Sequence, residues 1–311
     1  MKPTLNLKFC VVLLLVLSVT FVVFNFATTL KDTETSKSDA KTTNEKMNDG
    51  FWVGSVNIEG EIPGDVSSRA EKLEVIDKTV VVDGVKIFYR ESSPTVKSEI
   101  TLLLLHGKNF SSKTWLDLKT ISFFTASGYR TIAIDLPGFG HSEKLPAKLD
   151  NKKSDFLLHV LTELKILKPV IVSPSYSGFY TLPMLLKNSD SFTGFVPVAP
   201  VGENVIESFN LCSQQGLKSA NSYMSERFDS LPAYFKEQIK GAVPDVSCIK
   251  TPLLVVHGEF DRSRSSAFLS LFPNARAFEI PEGKHACYLQ NPQLFHTVVY
   301  NFLLRITELK I

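Results

Sequence analysis

From about residue 78 onward the chain alternates short apolar runs with polar turns and with segments of helical period. "TVVV" and "VKIFYRE" flank Asp83-Gly84, a pair that favours a two-residue hairpin turn because both positions tolerate positive φ. The run "ITLLLLHG" at 100–107 is continuously apolar, as a strand covered on both faces should be. Helical spacing follows through Trp115, Leu116, Leu118, Ile121 and Phe124. "YRTIAIDLPGFGHS" reads as another buried strand that ends in a Gly- and Pro-rich loop. A helix near 154–167, the strand "PVIVS" and a helix from about Ser177 come next. Three later strands lie in "FTGFVPVAP", "TPLLVVHGEFD" and "NARAFEIPEG", and an amphipathic helix near 293–308 ends the pattern. Strands alternating with helices predict an α/β fold: a mostly parallel twisted sheet flanked by helices, with the opening hairpin antiparallel at one edge.

Three stretches depart from this alternation. Residues 201–250 carry polar and helical segments such as "SERFDSLPAYFKEQIKGAV" between two buried strands, and read as a lid-like insertion over the carboxyl ends of the strands. Residues 31–74 read as a stalk or linker with an early strand in "FWVGSVNIEGEIP"; "KDTETSKSDAKTTNEKMNDG" at 31–50 has too little apolar surface to offset the entropy of ordering. Residues 9–30, "FCVVLLLVLSVTFVVFNFATTL", carry no charge and have the length of about 20 residues that a membrane-spanning helix needs. The run is longer than the apolar part of a cleaved signal peptide and lacks an A-x-A site, which favours an uncleaved signal anchor behind a short tail at 1–8. A basic head before a single span leaves the body outside the cytosol. The expectation is a single-pass type II membrane protein with a luminal or extracellular domain; the alternative is secretion after signal cleavage.

Composition narrows the picture further. At 311 residues the chain has room for one large α/β domain and an appendage. A net charge of +2 is too small to argue for nucleic acid. Cys212 and Cys248 flank one segment and could pair in an oxidising lumen, or stand as two unpaired thiols. Cys10 lies in the apolar run and Cys287 is left over.

Chemistry concentrates at the strand ends, where open parallel sheets bind ligands. "SPSYSG" at 173–178 places Ser175 at an abrupt strand-to-helix turn. A nucleophile elbow is usually G-x-S-x-G, because the turn is cramped two residues either side of the nucleophile. Here Ser173 and Ser177 occupy those places and are small enough to serve. A serine needs a neighbouring base and an acid to orient that base. In chain order Ser, then acid, then His, Asp261 follows the strand "TPLLVVHG" and His285 follows "AFEIPEGK". Glu259 is the rival acid, but Asp261 lies further into the loop, where its side chain can swing to the histidine. An oxyanion needs two donors: the backbone N–H groups of Tyr176 and Lys108. His106 shapes its loop, and His141, His159, His257 and His296 read as structural or solvated.

These residues together resemble the α/β-hydrolase superfamily, over residues 75–311 outside the insertion. More narrowly, "LLLLHGKNFSSKTW", "GYRTIAIDLPGFGHS", "SPSYSG", "GFVPVAP", "TPLLVVHGEFD" and "HACYL" resemble the alpha/beta hydrolase domain-containing protein 14 group. The N-terminal span and "HGK" resemble its membrane-anchored A-type branch. That group carries the S-x-S-x-S elbow. The resemblance implies a triad of Ser175, Asp261 and His285 in a serine hydrolase acting on a small ester, thioester or amide. It also raises acyl transfer to coenzyme A or another thiol. A luminal domain lies away from that cytosolic thiol, so hydrolysis ranks first. A catalytically idle hydrolase fold that binds a protein is the reading from another class, and the intact set of three residues argues against it. The expected partners are a small acyl substrate and, through the N-terminal helix, a membrane. Neither a cofactor nor a metal is expected.

Overall fold

The computed structural model describes residues 51–52, 56–95, 99–201, 246, 248–272 and 275–309. All of them belong to the second of two units into which the chain divides, Asp49–Ile311.

Eight strands form one sheet: β1 (Ile76–Val82), β2 (Val85–Ser92), β3 (Thr101–Leu104), β4 (Arg130–Ile134), β5 (Val170–Pro174), β6 (Gly194–Val198), β7 (Leu253–Gly258) and β8 (Ala275–Ile280). Their spatial order is β1-β2-β4-β3-β5-β6-β7-β8. The β1–β2 and β2–β4 pairs are antiparallel and the rest parallel. At the hairpin, Asp83 and Gly84 have φ of 50° and 80°, the two positive values that a tight turn of this twist requires.

Among the described residues the α-helices are α1 (Val66–Ala70), α2 (Ser112–Asp117), α3 (Thr120–Ala126), α4 (Lys153–Glu163), α5 (Gly178–Lys187), α6 (Arg262–Leu271), α7 (Cys287–Gln290) and α8 (Pro292–Leu309). Strand alternation divides the core into two apolar layers. Leu103, Leu105, Ile132 and Ile171 pack with Phe156 of α4, Tyr180 of α5 and Phe268 of α6. Leu102, Leu104, Val170 and Val172 pack with Trp115 of α2, Phe124 of α3 and Phe302 of α8. Every residue of β3, β5, β6 and β7 is buried, which is why these strands read as unbroken apolar runs.

Right-handed crossovers decide which helix covers which face. From β3 the chain steps one way to β4, and from β4 it returns past β3 to β5 and continues to β6. The direction reverses, so α2 and α3 lie on one face and α4 and α5 on the other. The chains leaving β3 and β5, which are neighbours, therefore diverge. That opens a crevice at their carboxyl ends.

Three expectations need correction or bounding. The linker read at 31–74 is too long: Phe51, Trp52, Ile58, Val66 and Ala70 are buried in the second core layer. Phe51 and Trp52 sit 5.4 and 5.8 Å from the Phe302 ring of α8, and Asn301 Nδ2 donates to the Gly60 carbonyl. Among the described residues of 51–63 no strand forms. The expected membrane placement is also corrected. Among the described residues no helix is long and apolar enough to cross a membrane. The apolar run at 9–30, on which the signal anchor and the type II luminal or extracellular placement rested, lies outside the described residues, so that placement is not retained. The lid-like insertion likewise falls outside them, apart from Val201, Val246 and 248–250. Cys248 is disulfide-bonded, and its expected partner Cys212 is not among the described residues.

Candidate active site

Strand β5 ends at Pro174 and a 3-10 turn over Ser175–Ser177 passes straight into α5. Ser175 has φ of 46°, a left-handed conformation that costs a non-glycine residue about 1–2 kcal/mol. The strain turns the side chain out of the sheet at the crevice. Gly178 begins α5 under tight contact: a Cβ there would lie 2.0 Å from the Val201 carbonyl oxygen. Ser173 and Ser177 are fully buried beneath the turn. Their hydroxyls lie 2.9 Å apart, Ser173 Oγ is 2.7 Å from Thr181 Oγ1, and Ser177 Oγ donates to the Pro174 carbonyl at 2.8 Å.

The other two residues come from the loops after β7 and β8, beyond β6 in the sheet. Asp261 closes a 3-10 turn, Glu259–Asp261, beyond β7. His285 lies between β8 and α7. Two glycines draw these loops together: a Cβ on Gly258 would lie 2.2 Å from the Gly283 carbonyl oxygen, and one on Gly283 would lie 2.8 Å from Gly258 Cα. Backbone thus packs on backbone between the two loops. The three side chains meet. His285 Nε2 is 2.8 Å from Ser175 Oγ, and His285 Nδ1 is 2.9 Å from Asp261 Oδ2. The Asp261 side chain is 13% exposed and that of His285 49%, so the acid is sheltered and the imidazole faces solvent. Glu259 is exposed and Asp261 is the carboxylate that the structure brings to His285.

Of the two expected oxyanion donors, Tyr176 follows Ser175 and Lys108 follows Gly107 in the chain. Gly107, just before Lys108, packs so closely that a Cβ on it would be 3.7 Å from Ser175 Cβ. Among the described residues, neither the Lys108 nor the Tyr176 N–H donates to a carbonyl in the turns and loops. The Lys108 loop is held from below by His106, which is fully buried. Its Nδ1–H donates to the Gly107 carbonyl, and its Nε2 accepts from the Leu136 N–H, both at 2.9 Å. That pattern requires the neutral ring. Burial lowers the His106 pKa; the Gly107 hydrogen bond and the Asp135 charge oppose it less strongly.

Asp135, which the pattern of the chain did not single out, completes this support. It is fully buried, and its carboxylate accepts from the N–H groups of Ser112 at 2.7 Å and His141 at 2.8 Å. A Cβ on Gly140 would collide with it at 2.0 Å. The available sign was an aspartate at the end of a buried strand, followed at once by a Pro-Gly loop.

The His141 ring lies 4.8 Å from that of Phe88, and the other three histidines meet polar neighbours. His159 Nδ1 meets Asp83 Oδ2 at 2.6 Å, His257 Nδ1 lies 2.9 Å from the Gly258 carbonyl, and His296 Nε2 meets Thr120 Oγ1 at 2.9 Å. Cys287 is a buried free thiol two residues beyond His285. Burial, then the Asp261 charge, pushes its pKa up to about 12, which keeps it protonated and unreactive. Among the described residues no group of three or more His, Cys, Asp or Glu side chains is placed to hold a metal ion.

The sheet order, the strained turn after β5 and the serine, aspartate and histidine beyond the ends of β5, β7 and β8 are the arrangement of a hydrolase-type α/β fold. The alpha/beta hydrolase family model matches residues 102–298, and the chain belongs to that family. A human protein named "Putative protein-lysine deacylase ABHD14B" is 34% identical over 240 residues, covering 75% of this chain and 98% of that protein. Protein ABHD14A of Danio rerio is 32% identical over 230 residues, covering 71% of this chain and 72% of that protein. Among solved structures, a predicted CIB-like hydrolase from Thermoplasma acidophilum superposes with a TM-score of 0.57 at 19% identity. It covers 74% of this chain and 98% of that one, a likeness of fold.

Proposed function

We propose that the chain is a serine hydrolase that cleaves a small ester, thioester or amide through an acyl-enzyme on Ser175. The observation that carries this reading is the relay Ser175–His285–Asp261, closed by contacts of 2.8 and 2.9 Å. Ser175 Oγ attacks the acyl carbon while His285 Nε2 takes its proton. Asp261 accepts the hydrogen bond from Nδ1–H, which holds the productive tautomer and stabilises the imidazolium. The N–H groups of Lys108 and Tyr176 receive the oxyanion, each such donor contributing about 3–4 kcal/mol to the transition state in comparable sites. On collapse His285 returns the proton to the leaving oxygen, sulfur or nitrogen. Water then attacks the acyl-enzyme, with His285 as base, and releases the acid and free Ser175. The half-exposed imidazole leaves the acyl-enzyme open to water from solvent. Family membership implies a small-molecule acyl donor, and the relative named a protein-lysine deacylase supports an amide among the candidates.

Rapid mixing with a p-nitrophenyl ester tests the reading. A burst of nitrophenol equal to the enzyme concentration, absent in Ser175→Ala, is expected. Linear release with no burst, and equal rates for the two proteins, would overturn it.

A further inference from the structure

We propose that the Thr181, Ser173 and Ser177 hydroxyls form a one-directional hydrogen-bond chain that locks the peptide entering Ser175. They are positioning residues for the acyl-enzyme reading above, on which this inference rests. A hydroxyl has one proton to give, and that fixes the direction. The Pro174 carbonyl can only accept, so its 2.8 Å contact commits the Ser177 proton. The 2.9 Å contact between Ser173 and Ser177 must then be donated by Ser173. With that proton used, the 2.7 Å contact between Ser173 and Thr181 must be donated by Thr181. The longer approach of Thr181 Oγ1 to the Ser177 carbonyl, 3.2 Å, is a weak second branch of the same proton. The chain runs Thr181 to Ser173 to Ser177 to the Pro174 carbonyl. All three hydroxyl residues are fully buried, so water does not compete for any link.

The end point explains the use of the chain. The Pro174 carbonyl shares its peptide plane with the Ser175 nitrogen. The pyrrolidine ring restrains Pro174 φ, here −78°, and the Ser177 hydroxyl fixes where its carbonyl points. Because that hydroxyl comes from three residues on, its bond closes the turn from Pro174 to Ser177 across Ser175 and restrains the positive φ there. In a G-x-S-x-G turn the flanking residues make room and supply no fastening. Here the same two places supply fastening against the strain at Ser175.

Steady-state kinetics on the nitrophenyl ester separate this from simple space filling. Ser177→Ala removes the last link and is expected to lower kcat about 10-fold or more, since small misplacements of a reacting group are costly. Ser173→Ala and Thr181→Val are expected to lose progressively less. KM stays within about twofold throughout, because ester binding does not use these groups. Thr181→Ser, which keeps the hydroxyl, restores the wild-type rate; it isolates the head of the chain even where Ser177→Ala does not fold. A Ser173→Gly/Ser177→Gly double variant with wild-type kcat would overturn the proposal, as would losses confined to KM. A crystal structure of a folded chain variant provides a reading independent of turnover. Ser175 is expected to leave its left-handed φ or to separate from His285 Nε2, and an unchanged Ser175 geometry would refute the chain even if the wild type turns over. Conversely, a wild type that shows no burst and is no faster than Ser175→Ala removes the nucleophile reading alone, and the crystal comparison still decides the chain.

Discussion

Ser175, His285 and Asp261 come from three loops separated by 86 and 24 positions in the sequence, yet they close a relay with two contacts under 3 Å. Their order and their places just beyond apolar strands were legible in the sequence. The choice between Asp261 and Glu259 was legible only in part, because it depends on which way a 3-10 turn points its carboxylates. The prediction follows from that turn. Asp261→Asn lowers kcat by about 10³–10⁴-fold with the fold intact, because the amide holds the wrong tautomer. Glu259→Gln stays within a few-fold. Steady-state rates of the two variants, with circular dichroism as the control for folding, check this; the reverse pattern would move the acid to Glu259. Asp135 and the direction of the hydroxyl chain were not legible. The first depends on where the N–H groups of Ser112 and His141 arrive in space. The second depends on proton counting among contacts that only the folded turn creates.

At the scale of elements, the buried strands announced themselves because a strand covered on both faces leaves no polar position to interrupt the run. The contact between the β7 and β8 loops did not, since a glycine in a loop more often signals a turn than a close approach. Gly258 needs its missing Cβ for space, its φ being an ordinary −86°. Gly258→Ala places a methyl carbon 2.2 Å from the Gly283 carbonyl oxygen. Both neighbours are backbone and must move. The expected result is a loss of about 1–3 kcal/mol of stability, as for other overpacked sites. A fall in kcat should accompany it as Asp261 and His285 separate. Thermal denaturation and the burst amplitude measure the two effects. The linker boundary was misjudged for a different reason. Phe51 and Trp52 find their apolar partner in Phe302, about 250 positions away, and periodicity over a short window carries no sign of so distant a contact.

Across the whole molecule, acid stability depends on histidines that fold in the neutral state. His296 is buried against Thr120 and stacks on Phe123 at 4.7 Å, and burial lowers its pKa to about 4. Its ordinary value is about 6.5. The unfolded chain therefore binds this proton more readily than the folded one. The stability it contributes is fully present above about pH 6.5 and is lost as pH falls from there to about 4, on the order of 3 kcal/mol in all. His106 acts in the same direction. Urea titrations at pH 7.5 and 4.5 should show this loss, and His296→Gln, which cannot titrate but can still meet the Thr120 hydroxyl, should show a smaller one. An undiminished loss in that variant would place the acid sensitivity elsewhere. The overall architecture was readable because the alternation of strand and helix, with right-handed crossovers, leaves few arrangements. The acyl substrate was not, because residues 202–245, between β6 and β7, lie outside the described structure, and the fold alone does not define a pocket. Covalent labelling with a fluorophosphonate, followed by peptide mass spectrometry, tests most directly whether Ser175 is an activated nucleophile. One adduct per chain, on Ser175, is expected, and none in Ser175→Ala. An unlabelled wild type under conditions where other serine hydrolases react, or an adduct that persists in Ser175→Ala, would contradict it.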